Sequence, residues 1–448
     1  MVWNVNSTYK GGGVAELLQS LVAYARGGGV DARWVVLRGE PGFFSVTKRL
    51  HNQLHGFDTG GGLNESDRRM YARTLAANAA ELIPLLRAHD IVILHDPQTA
   101  GMVHAVRRTG ATVIWRCHVG IDRANATVRE AWAFLHPFVS EADACVFSRA
   151  SFAWNGLEPD RIVVIQPSID AFSAKNQTQT ADASLSILAR AGVISHPRGG
   201  GATFTRSDGT PGRIDRRADM LQTSTLVPED RLVVQVSRWD RLKDPLGVML
   251  GFAEHIAART SAHLVLAGPA VDAVADDPEG AGVFAEVARA WDDLPDPIRR
   301  RVHLASLPMV DVEENAAIVN ALQRHADVIV QKSLAEGFGL TVAEAMWKGR
   351  PVVASAIGGI QDQIEDGRSG VLVSDPTDLG EFGSAVAGLL CDPTGAGVMG
   401  RAAHERIRRH FLAPHHLKHY FDLIARVVNE RQASAAVDAD GGVTAHGG

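Results

Sequence analysis

Two carboxylates bracket one short run, Glu336-Gly337-Phe338-Gly339-Leu340-Thr341-Val342-Ala343-Glu344-Ala345-Met346, directly after the strand-like stretch Asp327-Val328-Ile329-Val330-Gln331. The pattern reads as a strand, a glycine-hinged turn and a helix. The backbone N–H groups of Gly339, Leu340 and Thr341 then sit at a helix N-terminus, where unsatisfied donors and the macrodipole favour an anion such as a diphosphate. Glu336 lies before that helix and Glu344 about one turn inside it. Carboxylates are poor phosphate ligands but good acceptors for the hydroxyls of a sugar and a ribose. The local chemistry is that of a sugar nucleotide, weighed against the plainer reading of a common α/β unit whose acidic residues stabilise a helix start.

A second group stands after the apolar run Leu232–Val236, in Ser237-Arg238-Trp239-Asp240-Arg241-Leu242-Lys243-Asp244. One turn brings Arg238 and Lys243 to the same edge, where Arg can hold a diphosphate bidentately and Lys serves as a point charge. Each such contact contributes roughly 1.5–3 kcal/mol. Two solvated surface cations are the plain alternative. His51 and His55 are four apart on a helical stretch, yet no adjacent Glu or third ligand accompanies them, so they read as helix-surface or acceptor-side residues and not as a metal face. No metal site is expected, the Asp438-Ala439-Asp440 triplet included.

The elements that must position these groups follow from hydropathy. Apolar, β-branched runs recur with helical intervals at Val2–Asn6, Arg33–Leu37, Ile91–Leu94, Val113–Arg116, Ala144–Phe147 and Ile162–Ile165. A second series follows at Leu232–Val236, Leu264–Ala267, Val302–Ala305, Val328–Val330, Val352–Ala354 and Val371–Val373. Continuous hydrophobic strands alternating with helices imply parallel sheets covered on both faces, and such sheets bind ligands at the carboxyl ends of their strands. The expectation is an α/β protein with two doubly wound, Rossmann-like domains. The first covers residues 1–170, with a helix near 411–430 packing back on it. Residues 171–226 form a crossing segment with a weakly ordered Gly-, Pro- and Arg-rich insertion near 196–222, the second domain covers 227–410, and residues 431–448 form a disordered tail.

At 448 residues, two domains is also the prior from length. Hydrophobic residues make up 46% and charged residues 21%, the profile of a water-soluble globular chain. A net charge of −6 with no clustered basic helix argues against nucleic acid, and no apolar run is long enough to span a bilayer. Cys117, Cys145 and Cys391 show no metal spacing, and the first two sit in apolar strands, which fits core residues in a reducing, cytoplasmic compartment.

The pairing of Ser237-Arg238 and Lys243 with Glu336 and Glu344 resembles the retaining glycosyltransferases of family four, whose GT-B arrangement sets two Rossmann-like domains facing across a cleft. Within that group the first domain resembles the glycosyltransferring trehalose synthases, relatives of the trehalose phosphorylases. The residues that carry this are Asn4-Val5-Asn6-Ser7-Thr8, Gly11-Gly12-Gly13-Val14-Ala15-Glu16, Arg33-Trp34-Val35-Val36, Phe43-Phe44-Ser45-Val46-Thr47-Lys48 with His51-Asn52, His95-Asp96-Pro97-Gln98 and Trp115-Arg116-Cys117-His118. Glu344-Ala345-Met346-Trp347-Lys348-Gly349 and Gly358-Gly359-Ile360 extend it through the second domain, so that it covers most of residues 2–430 and fails across 196–222.

The resemblance implies transfer of glucose from an NDP-glucose (ADP-, UDP- or GDP-glucose) to free glucose, with retention, giving α,α-trehalose, without metal or cofactor, in a chain compatible with a homodimer. Glu336 would bind donor-sugar hydroxyls and Glu344 the ribose. Arg238 and Lys243 would hold the diphosphate beside Gly339, Leu340 and Thr341. Asp96 and Gln98 would bind the acceptor, and His118 would support the reacting sugars. Gly12 and Gly13 precede a helix, where backbone without a Cβ can approach a phosphate closely; the similar triplet Gly27-Gly28-Gly29 reads as an ordinary turn. A trehalose phosphorylase, a family-four enzyme with another acceptor, a sugar-nucleotide 2-epimerase and a non-catalytic sugar-binding regulator are the competing readings.

Overall fold

The computed structural model describes residues 1–9, 13–57, 61–196, 201–270 and 279–441, with side chains to residue 433. The chain divides into two units, Met1–Ser168 with Ala413–Gly448, and Ile169–Leu412.

The first unit is a six-stranded sheet of β1 (Val2–Asn6), β2 (Ala32–Val36), β3 (Ile91–His95), β4 (Thr112–Cys117), β5 (Ala144–Phe147) and β6 (Ile162–Val164), all parallel in the order β2-β1-β3-β4-β5-β6. The expected strands are all present, with ends shifted by at most one residue. Alternation splits them between two cores. Val92, Leu94, Val113, Trp115 and Phe147 pack on one face. Ile91, Ile93, Ile114, Ala144 and Val146 face the other way, onto Tyr420, Leu423 and Val427 of the C-terminal helix.

That helix runs Ala413–Gly441, so residues 431–441 are helical where a disordered tail over 431–448 is expected, and residues 442–448 lie outside the described residues. Arg431 is held there: its guanidinium donates to the Ala111 carbonyl (2.6 Å) and the Gly110 carbonyl (3.1 Å) and pairs with Asp143 (3.3 Å). Composition alone hides a single residue that ties down a polar helix end.

The second unit carries β7 (Thr203–Thr205), β8 (Pro211–Arg213), β9 (Asp219–Leu221), β10 (Leu232–Val236), β11 (His263–Pro269), β12 (Val302–Leu307), β13 (Val328–Gln331), β14 (Val352–Ser355) and β15 (Val371–Val373). Its sheet order is β15-β14-β13-β10-β11-β12-β9, parallel except for β9, which lies antiparallel on β12. The expected weakly ordered insertion is therefore corrected over its described residues. β7 and β8 form a hairpin, β9 closes the sheet edge, and Phe204 and Ile214 are buried in the unit's core. Charge secures the rest: Arg206 pairs with Asp311 (2.5 Å) and Glu313 (3.1 Å), and the buried Glu314 accepts the backbone N–H groups of Asp215 and Arg216, each at 2.7 Å. Residues 197–200 of that segment lie outside the described residues. Cys117 and Cys145 are buried core residues, and among the described residues no helix is long and apolar enough to cross a membrane.

Candidate active site

In the second unit, β10 and β13 are hydrogen-bonded neighbours, so the turns after them share one edge of the sheet. The turn after β10 is built tightly. Asp240 caps it by accepting from Leu242 N (2.8 Å), Gln235 donates to the Lys243 carbonyl (2.7 Å), and Asp244 stands in the left-handed region (φ 50°), where it caps the next helix through Gly247 N (3.0 Å). Lys332, 1% exposed, pairs its ammonium with Asp244 and donates to the Pro376 carbonyl (2.6 Å). The turn therefore presents Lys243 from a fixed backbone. Its ammonium is ion-paired with the carboxylate of Glu336, while Arg238 reaches Asp240 at 3.4 Å.

Glu336 leads into the helix Leu340–Trp347, whose cap is Gly339 at φ 85°. Only glycine takes that conformation readily. The Gly358-Gly359 loop lies against the Glu336 loop: Gly359 N donates to the Gly337 carbonyl (3.0 Å), and a Cβ on Gly358 would meet the Glu336 carbonyl oxygen at 1.8 Å. Thr341 donates its hydroxyl to Gln331 (3.2 Å), tying the helix start to β13. Glu344 is buried on that helix, 3.5 Å from the Lys175 ammonium. Lys348, one turn on, is buried, and burial lowers its pKa despite the nearby Glu344 charge. Its ammonium donates to Gln323 (2.7 Å) and Asn176 (3.0 Å).

In the first unit, Asp96 follows β3 in the left-handed region (φ 64°), an uncommon place for a residue with a side chain. Hydrogen bonds hold it: Asp96 N donates to the Arg116 carbonyl (2.7 Å), the Asp96 carbonyl accepts from Trp115 Nε1 (3.1 Å), and the carboxylate accepts from His118 N (2.7 Å). Burial raises its pKa to about 7, outweighing the lowering by that hydrogen bond and by Arg116. His118 follows β4, half-buried, with its pKa well below the usual imidazole value because of burial, then Arg116, His95 and His416. Gln98 is half-buried in the turn after β3, two residues beyond Asp96. Gly13 is the exposed first residue of the helix Gly13–Gly27, and Gly12 lies outside the described residues. Gly29, at φ 84°, makes the expected ordinary turn.

The sheets thus bring Arg238, Lys243, Glu336, Gly339 and Thr341 to one edge of the second unit, and Asp96 and His118 to one edge of the first. Among the described residues no His, Cys, Asp and Glu cluster could hold a metal.

Residues 4–154 match the family described as the N-terminal domain of trehalose synthase, and residues 230–392 match glycosyl transferases group 1. A trehalose synthase of Pyrococcus horikoshii is 34% identical over 94% of this chain and 88% of its own length. The chain belongs to the trehalose synthase family. It is a glycosyltransferase of trehalose-related sugar transfer, with the GT-B fold. Another trehalose synthase, of Rubrobacter xylanophilus, is 34% identical over 95% of this chain and 90% of its own. A trehalose phosphorylase of Pleurotus sajor-caju is 25% identical over 82% of this chain but only 50% of its own. In fold, a UDP-forming α,α-trehalose-phosphate synthase of Burkholderia xenovorans superposes with a TM-score of 0.69 at 14% identity, covering 95% of this chain and 99% of that one. Anabaena HepE in complex with UDP and glucose gives 0.65 at 16%, over 95% and 99%.

Asn4, His95 and Arg116 lie inside the motifs that carry the family resemblance without a role read for them there, and no sequence motif marks Lys332 or His416. Arg116 is wholly buried in β4, donating to Ser148 (3.1 Å); His416 is buried with its Nδ1 against the Gln166 carbonyl (2.7 Å). The available signal was a charged residue inside an otherwise apolar strand, Trp115-Arg116-Cys117.

Proposed function

We propose that this trehalose synthase family member transfers glucose from a nucleoside diphosphate glucose to free glucose with retention, reversibly forming α,α-trehalose. The observation that carries the reading is the Lys243–Glu336 pair beside Arg238 and the Gly339 cap: a fixed cation, a fixed carboxylate and a helix start meet on one sheet edge. Arg238 and Lys243 hold the diphosphate and take up charge as it leaves. Leu340 and Thr341 contribute the helix start that faces it, Glu336 accepts from donor-sugar hydroxyls, and Glu344 binds the ribose. In the first unit Asp96 and Gln98 bind acceptor hydroxyls and His118 orders the reacting sugars.

The chemistry suits these groups because a front-face route needs no protein nucleophile. The C1–O bond to the diphosphate breaks, the acceptor oxygen attacks the same face, and the departing phosphate oxygen takes the acceptor proton. The protein's contribution is positioning and stabilisation of leaving-group charge.

Incubating ADP-, UDP- and GDP-glucose separately with glucose and with glucose 6-phosphate, beside a trehalose-plus-phosphate reaction, tests the proposal. Trehalose from free glucose with nucleoside diphosphate released is the expected outcome. Phosphate-dependent cleavage alone would select the phosphorylase reading, in which the same Arg and Lys hold inorganic phosphate.

A further inference from the structure

The face of the first sheet covered by the C-terminal helix is apolar at Ile91, Ile93, Ile114 and Val146, yet it also carries Asn4, His95 and Arg116. Strand alternation puts them there: Asn4 shares its side of β1 with Val2, His95 its side of β3 with Ile91 and Ile93, and Arg116 its side of β4 with Ile114. Asn4 is 8% and His95 3% exposed, so their polar atoms must find partners inside the protein.

They find them in a chain. The Arg33 carbonyl can only accept, which directs the Asn4 amide nitrogen toward it (3.5 Å) and leaves the Asn4 oxygen to face His95 Nε2 (3.2 Å). An oxygen acceptor there requires a proton on His95 Nε2. His95 is neutral, its pKa lowered to about 3 by burial and then by Arg116, so it has one ring proton and Nδ1 is bare. His95 Nδ1 lies 3.2 Å from His118 Nε2, the rings stacked 5.5 Å apart at 16°. A bare nitrogen at that distance calls for a donor, so the single ring proton of neutral His118 sits on Nε2.

We propose that His95, itself oriented by Asn4, is a positioning residue that locks His118 in its Nε2–H tautomer and so offers Nδ1 as a hydrogen-bond acceptor to a sugar hydroxyl. The functional part of this rests on the reading of His118 as a residue beside the reacting sugars; the tautomer itself does not. Without the chain, His118 would distribute its proton between both nitrogens and spend part of its time presenting a donor where the hydroxyl needs an acceptor. The wrong tautomer at a correctly placed ring is a recognised way to lose turnover with geometry intact.

The test combines nitrogen NMR of ¹⁵N-histidine-labelled full-length protein with steady-state kinetics. The His118 resonances are assigned by their loss in His118→Gln. The expected spectrum at pH 7.5 has a protonated Nε2 and an unprotonated Nδ1 for both His95 and His118. His95→Leu removes the acceptor, and His118 should then show averaged tautomers together with a fall in kcat/KM of about 10–100-fold, the scale seen when outer partners of functional histidines are lost. His95→Asn keeps an oxygen close to the place of the ring Nδ1, and should restore both the Nε2–H signature and most of the kcat/KM. A wild-type His118 protonated on Nδ1 overturns the inference whatever the activity. So does a His95→Leu protein whose His118 tautomer shifts while kcat/KM stays at the wild-type value, or a His95→Asn protein as impaired as His95→Leu. If the wild type makes no trehalose, the functional reading fails, and the spectra still decide the tautomer.

Discussion

The ammonium of Lys243 is ion-paired with the carboxylate of Glu336, 93 residues further along the chain, joining the turn after β10 to the loop after β13. The side chains are 19% and 11% exposed, so the pair is shielded but open to a ligand. Each charge fixes the other before substrate arrives. A donor would bring a diphosphate to the cation and hydroxyls to the carboxylate, meeting groups already in place, and prior placement of this kind is where rate enhancement by positioning originates.

Removing either cation should therefore act on the leaving group. Arg238→Ala and Lys243→Ala are each expected to lower turnover by about two to three orders of magnitude, comparable to the loss of one preorganised donor to a developing anion. Saturation kinetics with the natural donor measures this. Turnover near the wild-type value in both variants would remove the diphosphate role.

Gly358 should behave as a residue of the active site without carrying any functional group. With φ 47° and the Glu336 carbonyl oxygen 1.8 Å from where its Cβ would be, Gly358→Ala must push the Glu336 loop away. The expectation is a roughly 100-fold loss of turnover, on the scale of an ångström-level misplacement, with a folded protein by circular dichroism. Full activity would mean that Glu336 need not stand where the Gly358-Gly359 loop holds it.

Much of this was legible in the sequence because it was written in short range. The strands Val328–Gln331 and Leu232–Val236 announce themselves as apolar runs, and the residues just past them fall on one edge once the sheet is parallel. What was not legible depends on tertiary partners. Arg206 makes an ordered hairpin out of a Gly- and Pro-rich segment only because Asp311 and Glu313 wait 105 and 107 residues away. Lys332 reads as a surface lysine until Asp244 and the Pro376 carbonyl enclose it, and Arg431 as part of a loose tail until the Ala111 and Gly110 carbonyls receive it.

Glu344→Ala is expected to raise the donor KM more than it lowers kcat, since a ribose contact is shared by ground and transition states. The variant also loses the carboxylate 3.5 Å from Lys175 and close to Lys348, and a stability loss of roughly 3 kcal/mol should accompany it, because an enclosed charge loses its counterion. Donor kinetics and urea unfolding separate the two effects. A pure kcat defect would argue against ribose binding.

Asp96 should leave a signature in the pH dependence of stability. Burial holds its pKa at about 7 instead of 3.8, so between those values the folded protein keeps a proton that the unfolded chain has released. Its contribution to stability therefore falls as pH rises from about 4 to about 7 and is level above that. The depressed values of His95, His118 and His416 work in the opposite direction, adding stability as pH rises to about 6.5. Asp96→Asn removes only the first effect. Urea midpoints should show the variant gaining on the wild type steadily up to about pH 7 and not beyond, whereas parallel curves across pH 4–8 would show that Asp96 titrates normally.

Glucosyl transfer to free glucose is tested by following ¹³C-labelled glucose from a nucleoside diphosphate glucose into product, by NMR, with unlabelled free glucose as acceptor and no inorganic phosphate present. The expected product is α,α-trehalose carrying label in one ring only, formed in step with release of the nucleoside diphosphate. A product of inverted anomeric configuration, or trehalose that forms only from glucose 1-phosphate with no nucleotide involved, would contradict it.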